Sequence, residues 1–469
     1  MSYNAAQGAG WESETMGDSD SSRRSRLEPH GLVALIALAL VVGAAAGLVG
    51  AAFRASLDWA DRFRNELIVS QRDEPVVGLL LLVGVCAAAT LTAAWLVKRF
   101  SRHAAGSGIP HVEAVLKGQL PPAPYGLATV KFVGGVLAIG SGLALGREGP
   151  CVQLGASIGI FVGRTFHLPW RDCRTLCAAG AGAGLATAFN APIAGAVFVL
   201  EELVQRLEPR IAIAALAASA TAIGAARALL GDSADFEVHS LPSVEVRALP
   251  LFYLLGAVAA LLAIFYNRLL LATLAAVGRV PMSVEARAGL IGAAVGALAW
   301  FRPGLVGGGD AITQNTLNGG AGSLEVVALV FLLRLCLGAV SYAAATPGGL
   351  FAPMLVLGAQ SGVLFGGACR LAFPTLDVPL ESFALVGMAA FFTGVVRAPI
   401  TGIVLASELT GNVSLFHAML GACAMSMLVP TLLRNEPIYD SLRDDLLRRE
   451  RRRVAAPAAS GASDHGRST

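Results

Sequence analysis

The chain of 469 residues is 55% hydrophobic and only 14% charged, with a mean hydropathy of +0.66. Most of it must face lipid or pack inside a bundle of apolar helices, which excludes an ordinary soluble domain. A net charge of +3, with only three lysines among 35 basic residues, is too small to point to a nucleic-acid partner.

Residues 1–30 are polar, carry Arg23, Arg24 and Arg26, and read as a disordered tail. An acidic, serine-rich stretch ahead of the first apolar run is not the layout of a signal peptide. The first repeat, 31–230, holds apolar segments at about 31–66, 76–98, 125–143, 149–166, 174–189, 191–207 and 211–230. A polar linker at 231–248 follows. The second repeat, 249–442, holds segments at about 249–277, 284–300, 324–345, 351–372, 382–396, 398–409 and 413–433. Several are shorter than the roughly 20 residues that a helix needs to cross a bilayer. Short segments joined by glycine and proline predict half-helices that meet inside the membrane. Residues 443–469, with Arg443, Arg448, Arg449, Arg451, Arg452 and Arg453, read as a basic disordered tail. The positive-inside rule then puts both termini in the cytoplasm and the chain, multi-pass, in the inner or plasma membrane. The seven cysteines lie in apolar or helical surroundings without metal-ligand spacing and read as small buried hydrophobes. His103, His111, His167 and His417 have no ligand spacing either and read as loop or interface residues. No metal or cofactor is expected.

The two halves repeat each other. Gly106-Ser107-Gly108-Ile109-Pro110, followed by Leu116 and Gly118, aligns with Gly307-Gly308-Gly309-Asp310-Ala311, followed by Leu317 and Gly319, at an offset of 201. Gly146 to Pro150 aligns with Gly349 to Pro353 at 203, and Ala191 to Gly195, with Glu201, aligns with Ala398 to Gly402, with Glu408, at 207. Repeats with broken helices in matching positions point to a transport site at their interface.

Gly146-Arg147-Glu148-Gly149-Pro150 and Gly349-Leu350-Phe351-Ala352-Pro353 cannot continue a helix, because glycine and proline break its backbone pairing. In hydrocarbon the freed groups are tolerated only where they line a protein-walled cavity. What they present there is a cluster of N–H donors at a helix N-terminus, which is an anion site. The chain reads as an all-α polytopic membrane protein that handles anions.

Together with Gly106-Ser107-Gly108-Ile109-Pro110, these stretches resemble, in order and spacing, the three signature motifs of the CLC family of chloride channels and transporters. The similarity runs from about residue 31 to 442. It implies a CLC-type fold of two repeated halves with broken, tilted helices, a homodimer with one anion pathway per subunit, and either of two mechanisms, passive channel or proton-coupled exchanger.

Ser107 lies between glycines, so its backbone can approach an ion and its hydroxyl can donate. Taken alone it reads as a turn or N-cap serine; the resemblance implies anion coordination, and a serine here goes with chloride. Glu148, at a membrane-embedded anion site, competes for the donors that bind the anion and moves aside when protonated; the plain alternative is a glutamate stabilised by the helix dipole. Arg147 is expected to shape the loop or the local potential. Leu350 and Phe351 contribute backbone N–H groups, and Gly108, Ile109 and Gly149 complete the expected anion-binding set. Tyr439, after the last apolar segment, reads alone as an interfacial anchor, whereas the resemblance implies that it turns inward and donates to the central anion. Glu201 and Glu202 read alone as a membrane-boundary pair. The resemblance makes Glu202 the internal proton glutamate of an exchanger. Too few residues follow Tyr439 for the paired nucleotide-sensing (CBS) domains of many relatives.

The expectation is a chloride/proton antiporter whose partners are chloride, protons and the bilayer. A passive gated chloride channel on the same scaffold is the alternative. A polytopic membrane enzyme is remote, because no His-Glu-x-x-His, Gly-x-Ser-x-Gly or aspartate-rich motif is present.

Overall fold

The computed structural model describes residues 29–461, apart from Tyr125, 232–235, 237, 239–240 and 375–377. Among the described residues there are seventeen helices and no strand. The first half comprises α1 (Pro29–Ser70), α2 (Pro75–Phe100), α3 (Ile109–Leu116), α4 (Gly126–Gly140), α5 (Glu148–Thr165), α6 (Trp170–Phe189), α7 (Pro192–Phe198) and α8 (Pro209–Leu230). The second half follows as α9 (Leu249–Gly278), α10 (Val284–Phe301), α11 (Asp310–Leu317), α12 (Leu324–Tyr342), α13 (Phe351–Ala372), α14 (Leu380–Val396), α15 (Pro399–Thr410) and α16 (Phe416–Leu432). The closing helix, α17 (Ile438–Gly461), has no counterpart in the first half.

The halves match helix for helix. α3 and α11 are both eight residues long, and each follows a glycine in the left-handed region, Gly108 (φ 86°) and Gly309 (φ 101°). Eight residues rise only about 12 Å, well under the roughly 30 Å of a bilayer core, so these are half-helices. α7 and α15 each open on proline, which suits a first helical turn where no N–H is needed. α1, at 42 residues and about 63 Å, is longer than any bilayer and must extend beyond it or tilt.

Among the described residues, seven helices are long and apolar enough to cross a membrane, including α13, where 83% of the apolar window is buried within the protein. α13 is therefore surrounded by other helices rather than by lipid. Close helix contact in an apolar medium depends on small residues. α5 meets α6 where Gly155 faces the Gly180 carbonyl and Gly159 the Leu176 carbonyl; α13 meets α14 where Gly358 and Gly362 face Gly387, Met388 and Phe383.

Two sequence expectations change. Residues 443–461, expected to be disordered, continue α17. Their charges are spaced to pair along a helix, Arg449 with Asp445 at 2.6 Å and Arg453 with Glu450 at 2.9 Å, and Arg443 pairs with the buried Glu113 of α3. Cys336 is exposed, while the other six cysteines are buried as expected. Residues 1–28, much of the expected tail, and most of 232–240 in the expected linker lie outside the described residues.

A Cβ added to Gly155 would press on the Gly180 carbonyl, whereas Gly224 on α8 has nothing within 4 Å. Gly155→Ala should therefore cost about 1–3 kcal/mol through overpacking. Gly224→Ala should leave stability unchanged or raise it by up to about 1 kcal/mol. Thermal unfolding in detergent, comparing the two Tm values, checks the contrast.

Candidate anion pathway

The three glycine-rich loops meet where the halves face each other. Gly146 and Gly349 exchange both backbone hydrogen bonds, at 2.9 and 2.7 Å. The Gly106 N–H donates to the Thr346 carbonyl, and the Gly348 N–H donates back to the Gly106 carbonyl, each at 3.0 Å. Backbone groups released by broken helices thus satisfy one another across the repeat boundary.

A buried cation secures the loop before each of the eight-residue half-helices α3 and α11. Lys131 on α4 is fully buried, and its ammonium donates to the carbonyls of Ala104 (3.1 Å) and Gly106 (2.7 Å). Arg334 on α12, also buried, donates to Leu305 (3.2 Å), Gly307 (2.8 Å) and Gly308 (2.7 Å). The two cations stand 203 residues apart, the offset already seen for the motifs. Sequence reasoning passed over both, although an isolated Lys or Arg within an apolar segment is itself a signal.

Ser107 is fully buried, with its hydroxyl against Gly149; a Cβ on that glycine would stand 2.5 Å from Ser107 Oγ. Glu148 opens α5, is fully buried, and accepts through Oε1 from the Ala352 N–H at 3.2 Å. Its carboxylate thus sits on the N-terminus of α13, the kind of position that suits an anion. Gly349 is equally close-packed, since a Cβ there would lie 2.5 Å from Glu148 Oε1 and 2.9 Å from the Gly149 N. Leu350 and Phe351 are fully buried at the start of α13, and Gly108 and Ile109 are buried at the start of α3.

Tyr439 is fully buried near the start of α17 rather than anchored at an interface, with its ring stacked 6.1 Å from that of Phe351. Phe189, Phe198 and Phe392 surround the same Phe351 ring at 6.0, 5.4 and 4.7 Å. Three oxygens of this region, Ser107 Oγ, Glu148 Oε2 and Tyr439 Oη, are buried without a hydrogen-bond partner among the described residues. Two hydroxyls able to donate, beside backbone N–H groups at helix starts, are the kind of donor an anion needs.

The adjacent glutamates part company. Both lie on one π-helical turn, Val199–Leu203. Glu201 turns to the other half: Oε1 accepts from the Ile400 N–H at 3.0 Å, and Oε2 accepts from the N–H and hydroxyl of Thr401, both at 2.7 Å. Glu408 returns the arrangement, accepting from the N–H groups of Ile193 (3.0 Å) and Ala194 (2.7 Å). Each repeat therefore caps the other's half-helix. Glu202 is buried and faces the charges of Glu113, Asp440 and Lys117. Glu113 binds Lys117 at 2.7 Å and also Arg443, and Arg443 binds Asp440 at 2.6 Å. This places Glu202 beside a chain of charged groups on the α17 side.

Arg147 points away from the loops' donors: Nε donates to the Ala188 carbonyl at 2.9 Å, and Nη1 lies 3.9 Å from Asp310. His111 is not a loop residue. It is buried on α3, with Nδ1 3.3 Å from the Gln153 amide.

The family model described as voltage gated chloride channel matches residues 88–431. The chain is 35% identical, over 432 residues, to the H(+)/Cl(-) exchange transporter ClcA of Vibrio parahaemolyticus, covering 89% of this chain and 91% of that one. It is 35% identical over 417 residues to the same-named protein of Cronobacter sakazakii, covering 87% and 89%. Among solved structures, a slow cyanobacterial Cl-/H+ antiporter superposes with a TM-score of 0.85 at 31% identity, covering 90% of this chain and 99% of that one. A CLC-type fluoride/proton antiporter shares the fold, with a TM-score of 0.75 at 21% identity, covering 88% and 98%.

The cross-repeat cap separates the two glutamates experimentally. Glu201→Ala should leave the N–H groups of Ile400 and Thr401 uncapped and cost about 0.5–2 kcal/mol. Glu202→Ala, which removes no such cap, should change stability less. Tm measured in detergent should fall further for the Glu201 variant.

Proposed function

The chain belongs to the voltage gated chloride channel family, and on that premise we propose that it is a chloride/proton antiporter. The observation that carries the reading is Glu148 on the α13 N-terminus. A carboxylate accepting the Ala352 N–H stands where an anion would be held, so chloride and the ionised side chain are alternatives for the same donors. Protonation removes the charge that keeps Glu148 there; the side chain leaves with its proton, and chloride takes over the backbone donors. Each exchange of occupant then carries one kind of ion in one direction and the other kind back.

In this reading Ser107 and Tyr439 donate hydroxyl hydrogen bonds to a central chloride. Gly108, Ile109, Gly149, Leu350 and Phe351 contribute the backbone around it. Glu202 receives protons from the α17 side and passes them toward Glu148. Its burial beside Glu113 and Asp440, instead of an apolar residue in that place, supports exchange over passive conduction. The arginine-rich α17 then faces the cytoplasm. The assembly proposed is a homodimer in the plasma membrane with a complete pathway in each chain.

Liposomes holding the purified protein, given a chloride gradient while external pH is followed, test the reading. Chloride should drive protons uphill; chloride flux without proton movement would establish a channel instead. Glu148→Ala should move chloride passively, without pH dependence and with proton movement at background. Retained uphill proton transport in that variant refutes the assignment.

Glu202→Gln keeps size and hydrogen-bonding capacity but carries no exchangeable acid proton at neutral pH. Chloride flux should persist while proton coupling disappears, a split visible when both ions are recorded in one liposome experiment.

A further inference from the structure

The Ser107 loop borders a cavity of about 440 Å3 whose lining includes Gly106, Gly108 and Tyr342, with Leu442, Asp445 and Arg449 of α17. Arg102, Arg449 and Arg453 stand in its wall, outnumbering Asp445 and Glu450, so it draws anions toward the loop. At its inner end the Ser107 N–H donates to Tyr342 Oη at 3.3 Å. The phenol reaches the loop only because residue 106 is glycine; a Cβ there would lie 2.7 Å from the Tyr342 oxygen. The neighbouring Gly106 N–H is committed to the Thr346 carbonyl.

We propose that Tyr342 is a gate on the α17 side of the anion path, its phenol oxygen holding the Ser107 N–H that an anion arriving from the cavity must take over. The inference rests on the reading of Ser107 as part of that path. The arrangement mirrors the other side, where a protein oxygen, Glu148 Oε1, holds the Ala352 N–H at 3.2 Å. The two gates differ in chemistry. The glutamate is an acid that competes as an anion and leaves as a neutral group. The phenol stays neutral throughout the working pH range and competes only as a weak, neutral acceptor. It therefore retards chloride without carrying a proton, and its removal should raise the speed of exchange. Tyr342 is 8% exposed and closes α12, whose Arg334 clamps the second glycine loop, so the gate is anchored on a rigid element.

Tyr342→Phe removes one oxygen and keeps the ring. Reconstituted beside the unaltered protein, it should exchange chloride about two- to tenfold faster, the factor that one neutral hydrogen bond represents. Calorimetry in detergent should show tighter chloride binding by a similar factor. Equal or slower flux with unaltered binding overturns the gate and leaves Tyr342 a packing residue. Tyr342→Leu, which also lacks the oxygen, supplies the same comparison if the phenylalanine variant folds poorly. Absence of chloride flux in the unaltered protein would instead refute the path on which the inference rests.

Discussion

The reciprocal pair of backbone hydrogen bonds between Gly146 and Gly349 is the constraint from which the site follows. A membrane interior supplies no water to a broken helix, so each released N–H and C=O must find a partner in protein. Here one repeat's loop satisfies the other's, and the Gly106 carbonyl and N–H do the same with Gly348 and Thr346. Neither half can present its loop alone. Once the loops are locked in this way, the starts of α5 and α13 lie together, and Glu148 accepts from the Ala352 N–H.

Around this bridge the repeats use matching devices with different residues. Lys131 and Arg334 each hold the carbonyls of the loop before a half-helix. The lysine reaches two carbonyls and the planar guanidinium three, in keeping with its larger set of fixed donors. Glu201 and Glu408 exchange caps across the halves. A carboxylate at a helix start compensates the unpaired donors there, and in apolar surroundings those donors have few other partners. The charges inside this protein are mostly structural ties between backbone ends. Glu148 and Glu202 stand out because they are not fully used in that way.

The glycine motifs, their order and the internal repeat were legible in the sequence because each depends on local backbone geometry. Ser107 and Glu148 lie within those motifs, whereas an inward-turned Tyr439 came only from the family resemblance, since alone it reads as an interfacial anchor. The long-range pairings were not legible. The repeat alignment had set Glu201 opposite Glu408, but a spacing of 207 residues does not reveal that each reaches into the other's half-helix. Tyr342 ends an ordinary apolar run, Ala-Val-Ser-Tyr-Ala, and only the folded chain brings its oxygen to Ser107, 235 residues away. The charged stretch after Arg443 misled for a different reason. Composition cannot tell a disordered charged tail from a helix whose opposite charges pair three and four residues apart.

The arrangement also explains why an anion would be held by neutral donors in a chain with so many arginines. A guanidinium in direct contact would bind chloride strongly and release it slowly, whereas conduction through several sites needs each to be weak enough to leave. Lys131, Arg334 and Arg147 are instead turned to carbonyl oxygens of the loops or helix ends. Each adds positive charge near the loops while donating hydrogen bonds to backbone carbonyls. In the proposed path chloride then meets hydroxyl and amide groups, whose bonds are modest and readily exchanged. The one full charge in reach of those same donors is the carboxylate of Glu148, and it is negative. A site built this way holds its anion no more firmly than one of its own side chains can displace it.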